Sequence, residues 1–476
     1  MSLKEILVKN TLWLLSADLL DKVISYFLIV ALARTLGDVG LGEYSFVFAF
    51  AGMSFLIADL GISYYLWREA SKAPNKTQKI FSNALSLKLV IIALAFALTM
   101  TLTFIISKPS QVIYSIIIFS GILAMQQIGT LFETIFQSRN KMHIVASTRI
   151  LERGISLLVG LYLLLKYQSL ILFFAALLVA NVFKFAWQIY IGMRFVKIRL
   201  GFDKKMILEI LKSGMPLWFT GVFAMIYFRI DVIMLSLMVN DQVVGWYSAA
   251  YKLIDALNFI PYIIFTATFP SMSLLFEKNK KLLSSLLNRV VRYMIYLAIP
   301  LVVGTLLLAD RILQFIYGSL FSNSIIALKI LIFAEALIFV TYILGTSLNA
   351  MRKEKYFTIL LLSLSALNII LNFILIPRYS YVGAAFATVI TELVSLVILT
   401  ILVKKFLVKI RYELVKPIVA AAVMGGTVYF LRSLPIWWLI PLGMVSYFVV
   451  LYLLGLKPED KHLLKELILK IRPAPR

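Results

Sequence analysis

Long apolar runs recur along the entire chain, and they limit its fold more than any other feature. A helix of about 20 apolar residues crosses the hydrocarbon core of a membrane. The runs are continuously apolar, whereas the strands of a membrane barrel alternate apolar with polar residues. We therefore predict an all-α polytopic membrane protein with about fourteen transmembrane helices. The predicted spans are 11–33, 43–65, 82–106, 111–137, 148–165, 169–190, 213–238, 244–275, 291–309, 323–350, 356–376, 382–403, 417–431 and 436–455.

The distribution of basic residues predicts how these spans are oriented. Segments rich in Lys and Arg, such as 68–79, 194–212 and 404–411, alternate along the chain with segments that carry few. A cytoplasmic N-terminus places most of the 47 Lys and Arg on the inner side, as the positive-inside rule requires. Topology and anionic lipid headgroups thus account for the net charge of +24, and nucleic acid is not an expected partner. We predict that both termini are cytoplasmic and that the protein lies in the cell membrane.

Two segments of the chain look like copies of one unit, Lys9–Ser45 and Lys212–Ser248. Each begins with a lysine before an apolar run, and each closes with the tetrad Asp-x3-Gly-x-Tyr-Ser, at 38–45 and at 241–248. An even number of predicted spans separates the copies, so both enter the membrane from the same side. Repeats of this kind are typical of transporters, whose substrate sites lie between the halves. We predict two six-helix lobes related by a pseudo-two-fold axis along the membrane normal.

This repeat predicts the domain organisation. Residues 1–197 form an N-lobe with helices 1–6, and residues 198–403 form a C-lobe with helices 7–12. The charged segment Arg194–Lys212 joins the two lobes on the cytoplasmic side. Residues 404–476 add helices 13 and 14 and a cytoplasmic tail. Between Glu459 and Arg472, leucines and isoleucines share one helical face, which we expect on the membrane surface or against the inner end of the bundle.

Basic residues inside the spans are the first candidates for function, because a lone charge at mid-membrane costs at least about 2.5 kcal/mol. Lys88 and Lys184 lie near the predicted cytoplasmic ends of their spans, and Lys329 lies near an outer end. Such side chains are expected to extend toward the interface. The basic residues that lie deeper are Lys22, Arg229 and Lys252.

Acidic residues accompany these cations. Asp18 lies four residues before Lys22 and three before Asp21, so the three share one helix face. Arg229 and Asp231 point to nearly opposite sides of their helix and cannot pair directly. Lys252 and Asp255 are three residues apart on span 8 and can pair. Further buried acids are Asp59, Glu133, Glu335 and Glu392. Two interpretations are open: the charges form ion pairs that lock helices together, or they line a wet central cavity for an anionic substrate. Clustering on spans 1, 7 and 8 favours the cavity.

The sequence offers little for catalysis or metal binding. It has no cysteine, and its two histidines, His143 and His462, fall in predicted cytoplasmic segments. A thiolate nucleophile, a disulfide framework and a histidine relay within the membrane are therefore excluded. The chain also lacks a Walker A motif for ATP. We expect no catalytic residues, no metal and no cofactor.

Three segments of the chain resemble the Wzx-type polysaccharide flippases, members of the superfamily that also holds the multidrug exporters and the lipid II flippases. The first is ALARTLGDVGLGEY at 31–44. The second is RIDVIML at 229–235, followed by VGWYSAAY at 244–251. The third is LIPRYSYVGAAFAT at 375–388. The resemblance implies two six-helix lobes around a cavity that opens alternately to each side and is lined mainly by helices 1, 2, 7 and 8. It also implies outward movement of polyprenyl-diphosphate-linked oligosaccharides.

The residues within the spans suit that substrate. Lys and Arg can neutralise a diphosphate, and aromatic faces suit sugars. The candidate substrate-binding residues are Arg229, Lys252, Lys22, Lys329, Trp218 and Tyr251. The candidate ion-coupling residues, for H⁺ or Na⁺, are Asp18, Asp21 and Asp231. Membrane lipids are the other expected partners, and we expect a monomer.

Three alternatives stay open. A cation-coupled multidrug exporter of the same superfamily is the nearest, but the resemblance implies about twelve spans and an acidic rather than a basic site for that class. A membrane-embedded polymerase or glycosyltransferase needs a substantial outer loop with catalytic acids or bases, and the longest predicted outer connection, Asp310–Ser322, is too short for one. A membrane scaffold would not need buried cations.

Overall fold

The computed structural model describes residues 3–407 and 410–455, and the statements below concern those residues. This part of the chain is built of helices joined by short turns, with no strand among the described residues. The helices are α1 (Leu3–Ser54), α2 (Ile62–Lys72), α3 (Thr77–Ile105), α4 (Ser110–Ser138), α5 (Met142–Tyr167), α6 (Leu170–Gly192), α7 (Lys204–Met238), α8 (Asp241–Asp255), α9 (Phe259–Lys278), α10 (Lys280–Ile316), α11 (Ser324–Ala350), α12 (Glu354–Phe406), α13 (Val415–Phe430) and α14 (Ile436–Leu453).

Two of these helices contain a sharp break. Gly37 in α1 has φ 71° and ψ −164°, and Ser380 in α12 has φ 53° and ψ −138°. Each therefore joins two helical segments, at the positions where the sequence predicts outer turns between neighbouring spans. Glycine adopts a positive φ without steric cost, because it lacks a Cβ. A serine at such an angle is uncommon.

The apolar helices have the dimensions of membrane spans. Among the described residues, nine helices are long and apolar enough to cross a membrane, or up to ten if the bent pair Ser16–Ala58 and Ile62–Lys72 is one span. Helix α13 is apolar but shorter. In hydrocarbon a helix satisfies all its backbone hydrogen bonds internally, which explains why these runs are helical. The prediction of an all-α polytopic membrane protein is confirmed, and the number of about fourteen crossings stays a prediction.

The helices pack into two compact units. The first holds residues up to 248 together with 361–384, and the second holds 249–360 and the residues from 385 onward. This division into units does not test whether the two predicted six-helix lobes are related by a pseudo-two-fold axis. The lobes and their symmetry therefore stay a prediction. The predicted amphipathic tail, Glu459–Arg472, lies outside the described residues, as does His462.

In the first unit, the segment between α6 and α7 is fixed to the beginning of α3. The Gln78 side chain donates to the backbone oxygen of Lys197 over 2.8 Å. The Asn83 side chain accepts from the backbone N–H of Asp203 over 2.6 Å. Lys79 binds the Asp203 carboxylate over 2.7 Å, and this hydrogen bond is the main reason that the pKa of Asp203 lies below its usual value. The charged connection is therefore anchored on one helix end.

In the second unit, α10 packs against α9, α11, α13 and α14, and α13 packs against α14. The Tyr447 hydroxyl of α14 donates to the backbone oxygen of Tyr296 over 2.6 Å. Arg311 of α10 donates to the backbone oxygen of Leu434 over 3.1 Å. Helices α13 and α14 are thus attached to the rest of this unit through α10.

Candidate functional site

One face of α7 runs along the part of α1 that follows Gly37. Trp218, Met225, Arg229 and Ser236 share this face, because their spacings of seven, four and seven residues return to nearly the same side of a helix. Met225 lies against Gly52, where an added Cβ would be 2.9 Å from the methionine methyl carbon. Two predicted site residues, Trp218 and Arg229, therefore lie on the side of α7 that faces α1.

At the predicted inner end, α7 contacts the chain between α1 and α2 without intervening side chains. Trp218 donates its indole N–H to the backbone oxygen of Leu56 over 2.7 Å. A Cβ placed on Gly214 would lie 2.4 Å from the backbone oxygen of Leu60, and one placed on Gly61 would lie equally close to Gly214. Backbone therefore meets backbone here, and Trp218, predicted to stack on sugar, is held by this contact.

At the predicted outer end, the two tetrads of the repeat contact each other reciprocally. A Cβ on Gly42 would lie 1.6 Å from the backbone oxygen of Asp241, and a Cβ on Gly245 would lie 1.8 Å from that of Asp38. The aspartate of each tetrad thus touches the glycine of the other. A contact in which residue i meets j′ and j meets i′ is the pattern of a two-fold relationship.

The two tetrad aspartates also hold polar partners. Lys108 donates to the Asp241 carboxylate over 2.7 Å and to the Ser236 hydroxyl over 2.7 Å. The Asp38 carboxylate accepts from the Trp246 indole over 2.7 Å. These bonds connect the turn before α4 with the end of α7, and the beginning of α8 with α1. They reinforce the glycine contacts at the outer end.

Arg229 and Asp231 lie in different surroundings. Arg229 is half-buried and close enough to Tyr44 for electrostatic interaction. The Tyr44 ring stacks on Phe174 at 5.7 Å. Asp231 is buried and accepts a hydrogen bond from the Tyr247 hydroxyl of α8. Tyr44 and Tyr247 are the matching tyrosines of the two tetrads, so each of these charges on α7 meets one copy of the repeat.

A second group of charges connects α1 with α5. Arg149 donates to the Asp18 carboxylate over 2.6 Å, and Arg153 donates to Asp21. Arg149 also lies 3.6 Å from Glu133 of α4. Both candidate ion-coupling aspartates of α1 are therefore bound by arginine. Neither arginine was predicted as a site residue from the sequence. The signal that could have indicated them is that two bases on α5 and two acids on α1 have nearly the same spacing.

The same group continues into α6. Lys184 lies 2.8 Å from Glu152 and 3.7 Å from Glu133. The Asn181 amide donates to Glu152 over 3.3 Å. Glu152 is buried, with 6% of its side chain exposed, and Glu133 is largely buried, with 12% exposed. Each charge has an opposite neighbour, which offsets the cost of removing it from water. In the first unit, locking of helices by ion pairs is thus the better interpretation for α4, α5 and α6.

Lys88 is the most buried charge of the first unit. Its side chain is 0% exposed, and its amine lies 2.6 Å from Asp59, 2.9 Å from Ser63 and 2.8 Å from Thr130. The expectation that Lys88 and Lys184 extend toward the interface is therefore wrong. It rested on distance from the span end, and it could not account for acids supplied by neighbouring helices.

Replacing Lys88 by Met should destabilise the protein strongly. Breaking a buried pair costs about 3–5 kcal/mol, because one charge is left uncompensated. We expect the lower part of that range, since 34% of the Asp59 side chain is exposed. The measurement is thermal unfolding in detergent. The double variant Lys88→Met with Asp59→Leu should recover most of the loss, and Lys329→Met, at an exposed lysine, is the control. An unchanged midpoint for Lys88→Met would contradict the buried pair.

The other predicted site residues are distributed over both units. Lys22 lies on α1 and is exposed. Tyr251 and Lys252 lie in the last turns of α8, half-buried, and the exposed Lys329 lies on α11, all three in the second unit. Within the first unit, the structure brings Arg229 and Asp231 together with the tetrads, and Asp18 and Asp21 together with α5.

Comparison with known proteins identifies the family of this fold. A family model described as "Polysaccharide biosynthesis protein" matches residues 7–276, more than half of the chain. The chain belongs to this family. The match includes α1 from residue 7 onward and α2–α8. It therefore contains the repeat, the charged residues of α7 and the first two segments that carry the resemblance to Wzx-type flippases. That resemblance is confirmed.

Two relatives of this chain have names that refer to the biosynthesis of polysaccharides or glycans. The "Capsular polysaccharide biosynthesis protein CapF" of Staphylococcus aureus is 22% identical over 399 residues, which cover 82% of this chain and 98% of the relative. The "Probable low-salt glycan biosynthesis flippase Agl15" of Haloferax volcanii is 26% identical over 211 residues, which cover 44% of this chain and 45% of the relative.

Solved structures show the same fold. The lipid II flippase MurJ in an inward closed conformation matches with a TM-score of 0.75 and 18% identity, over 92% of this chain and 98% of that one. A multidrug resistance transporter of the MATE family, in an inward-facing conformation, matches with a TM-score of 0.69 and 13% identity, over 81% and 95%. At these identities the likeness concerns the fold alone.

Proposed function

We propose that this protein is a flippase that moves polyprenyl-diphosphate-linked oligosaccharides from the cytoplasmic to the outer leaflet of the cell membrane, for assembly of a surface polysaccharide or glycan. The observation that carries the proposal is membership of the polysaccharide biosynthesis family over residues 7–276. The flippase named among its relatives and the MurJ-like fold support it. The protein is a transporter rather than an enzyme, and it works without a cofactor, as a monomer.

The proposed architecture has about fourteen crossings, both termini in the cytoplasm, and two lobes related by an axis along the membrane normal. The reciprocal contacts of Gly42 with Asp241 and of Gly245 with Asp38 support this symmetry. Both tetrads begin a helix that enters the membrane from the outer side. Parallel segments with reciprocal contacts are related by a two-fold axis along their common direction.

The proposed mechanism is alternating access. The substrate diphosphate is bound by Arg229 and Lys252, with further charge from Lys22 and Lys329, and Trp218 and Tyr251 contact the sugars. Charge neutralisation is needed because a diphosphate cannot cross hydrocarbon by itself. Arg229 is the principal binding residue, since its guanidinium stays charged and donates two parallel hydrogen bonds.

Reconstitution tests the proposal directly. Purified protein in liposomes should move a synthetic polyprenyl diphosphate with a fluorescent oligosaccharide between leaflets, measured as the fraction quenched by a membrane-impermeant reductant. Liposomes without protein provide the background rate. Movement no faster than background, for lipids with several different sugars, would contradict the function.

The alternative is a cation-coupled multidrug exporter, because a MATE transporter shares the fold. The charge of the proposed substrate site distinguishes a flippase for an anionic lipid from an exporter of organic cations. Export of an organic cation needs an acidic cavity, whereas Arg229 on α7 and Lys252 on α8 are basic. Efflux of ethidium from the same liposomes, without movement of the lipid-linked sugar, would favour the exporter.

The topology makes a separate prediction. Cysteines introduced at Lys204 and at Ser319, into a chain that has none, should react with an impermeant maleimide from opposite sides of the membrane. We expect Lys204→Cys to be labelled only after permeabilisation of cells and Ser319→Cys to be labelled in intact cells. Labelling of both from one side would contradict the span map and the parallel repeat.

A further inference from the structure

In the first unit, the connection between α6 and α7 lies alongside the first turns of α3. The backbone of Lys197 makes two hydrogen bonds with the Gln78 side chain, each over 2.8 Å. The backbone N–H of Gly201 donates to the Ser86 hydroxyl over 2.9 Å. Ser86 follows Gln78 by eight residues of α3, which is about 12 Å of helix. Between Lys197 and Gly201 the connection therefore descends along α3, past the beginning of its predicted span at residue 82.

Side chains of α3 supply hydrogen bonds to the backbone of this descending segment. The Asn83 amide oxygen accepts from the backbone N–H of Asp203 over 2.6 Å. The Asp203 carboxylate in turn accepts from two backbone N–H groups in the first turn of α7. A Cβ on Gly201 would lie 3.1 Å from the Asn83 amide nitrogen, so the segment touches α3 closely. Backbone polar groups that leave the water phase need such partners, and the segment is therefore suited to the depth at which it lies.

Three apolar side chains of the segment are exposed. They are Ile198 at 49%, Leu200 at 61% and Phe202 at 72%. These are alternate residues, and the chain forms neither helix nor turn from 197 to 203. In extended backbone, residues two apart project to the same side. Exposed apolar groups that are this close together mark a surface that meets another molecule or a membrane.

The charges of the same segment are predominantly basic. Lys197 and Arg199 alternate with the apolar residues, and both are exposed. From 193 to 205 the sequence has five basic residues and one acid. That acid, Asp203, is bound by Lys79 over 2.7 Å. Apolar side chains with basic neighbours match the boundary between the acyl chains and the anionic headgroups of a membrane.

We infer that residues 197–203 form an interfacial anchor that binds anionic lipid in the leaflet on the predicted cytoplasmic side. The three exposed apolar side chains enter the boundary between headgroups and acyl chains, and Lys197 and Arg199 bind lipid phosphates. The occupant is the membrane itself, because the segment lies beside the α3 span, where a soluble partner has no access. Since α7 begins at Lys204, the leaflet also holds the first turn of the helix that carries Arg229. The anchor does not depend on what the protein transports.

Fluorescence quenching by labelled lipids tests the insertion. The chain has no cysteine, so Leu200→Cys can carry a single bimane label in the full-length protein in liposomes. The quenchers are phosphatidylglycerol and phosphatidylcholine, each with a spin label at the same shallow acyl position. The bimane at 200 should be quenched strongly by these lipids. A bimane at Asn75→Cys, in the exposed turn before α3, should be quenched much less, because it lies about 16 Å before Ser86 along the helix. Equal quenching at the two positions would overturn the insertion.

Charge substitution tests the preference for anionic lipid. Each basic residue near the surface should enrich anionic lipid about fivefold. The bimane at 200 should therefore be quenched more by phosphatidylglycerol than by phosphatidylcholine. Lys197→Gln with Arg199→Gln should remove most of this difference, and it leaves the hydrogen bonds to α3 in place, because Lys197 makes them through its backbone. The matched control, Arg139→Gln with Lys141→Gln, removes two exposed charges from the turn between α4 and α5 and should keep the difference.

Salt provides the same test without a substitution. At about 1 M salt the Debye length falls to about 3 Å, so the difference between the two lipids should shrink while the quenching itself persists. This measurement decides the matter if the doubly substituted protein does not reconstitute. Equal quenching by the two lipids at low salt, or a difference that survives either the substitutions or the salt, would overturn the binding of anionic lipid.

Discussion

Replacing Arg229 by alanine should nearly abolish flipping while the protein remains folded and inserted. The guanidinium is half-buried on the face of α7 that lies along α1, where it can meet an anionic group. Each hydrogen bond between a charged pair contributes about 1.5–3 kcal/mol. Loss of two of them should reduce the flipping rate of the fluorescent polyprenyl-diphosphate oligosaccharide at least about 100-fold.

Two further variants show whether the effect belongs to phosphate binding. Arg229→Lys keeps the charge but loses the two-pronged donor, so it should retain only part of the activity. Arg194→Ala removes an exposed arginine at the end of α6 that contacts Tyr190, and it should flip at the native rate. If Arg229→Ala flips normally, or fails because it does not fold, Arg229 is a structural partner of its neighbours and the binding role is wrong.

The helices could be predicted from the sequence because a lipid environment leaves the backbone few choices. The predicted spans 111–137 and 323–350 agree with α4 (Ser110–Ser138) and α11 (Ser324–Ala350) to within one residue at each end. In hydrocarbon an apolar run must be helical, so the length of the run alone predicts a transmembrane helix and its approximate ends. The turns at Gly37 and Ser380 could be predicted in the same way, because each lies between two apolar runs.

The pairing of charges could not be predicted in the same way. Asp18 and Arg149 are 131 positions apart in sequence, and Lys88 and Asp59 are 29 apart. Which helices are neighbours depends on packing between helices, and single-helix spacing carries no information on it. Spacing did separate Arg229 from Asp231, because that relationship lies within one helix.

The contact between the two tetrads could not be predicted from the sequence. The repeat at 38–45 and 241–248 was recognisable, but the sequence does not indicate which atoms its glycines contact. The structure shows that each glycine makes room for the backbone of the other copy's aspartate. In the proposed cycle this contact closes the outer end. Separation of the two tetrads would open it.

Replacing Gly42 by alanine should therefore hold the outer end open and slow transport. The new methyl carbon would lie 1.6 Å from the backbone oxygen of Asp241, which cannot rotate away as a side chain would. Overpacking of this kind costs about 1–3 kcal/mol, so the population of the outward-closed state should fall roughly fivefold to 150-fold. A cysteine at Ser248, buried in the native protein, should become reactive from the outer solution.

The matched control is Gly221→Ala on α7, where an added Cβ would have no neighbour within 4 Å. Both substitutions gain about 1 kcal/mol of helix propensity, so they differ only in what the methyl group meets. Gly245→Ala should reproduce the Gly42→Ala result, because it blocks the other half of the same reciprocal contact. Equal flipping rates and equal cysteine reactivity in Gly42→Ala and Gly221→Ala would show that the tetrads need not touch during the cycle. The outer closure would then have to be made by other residues.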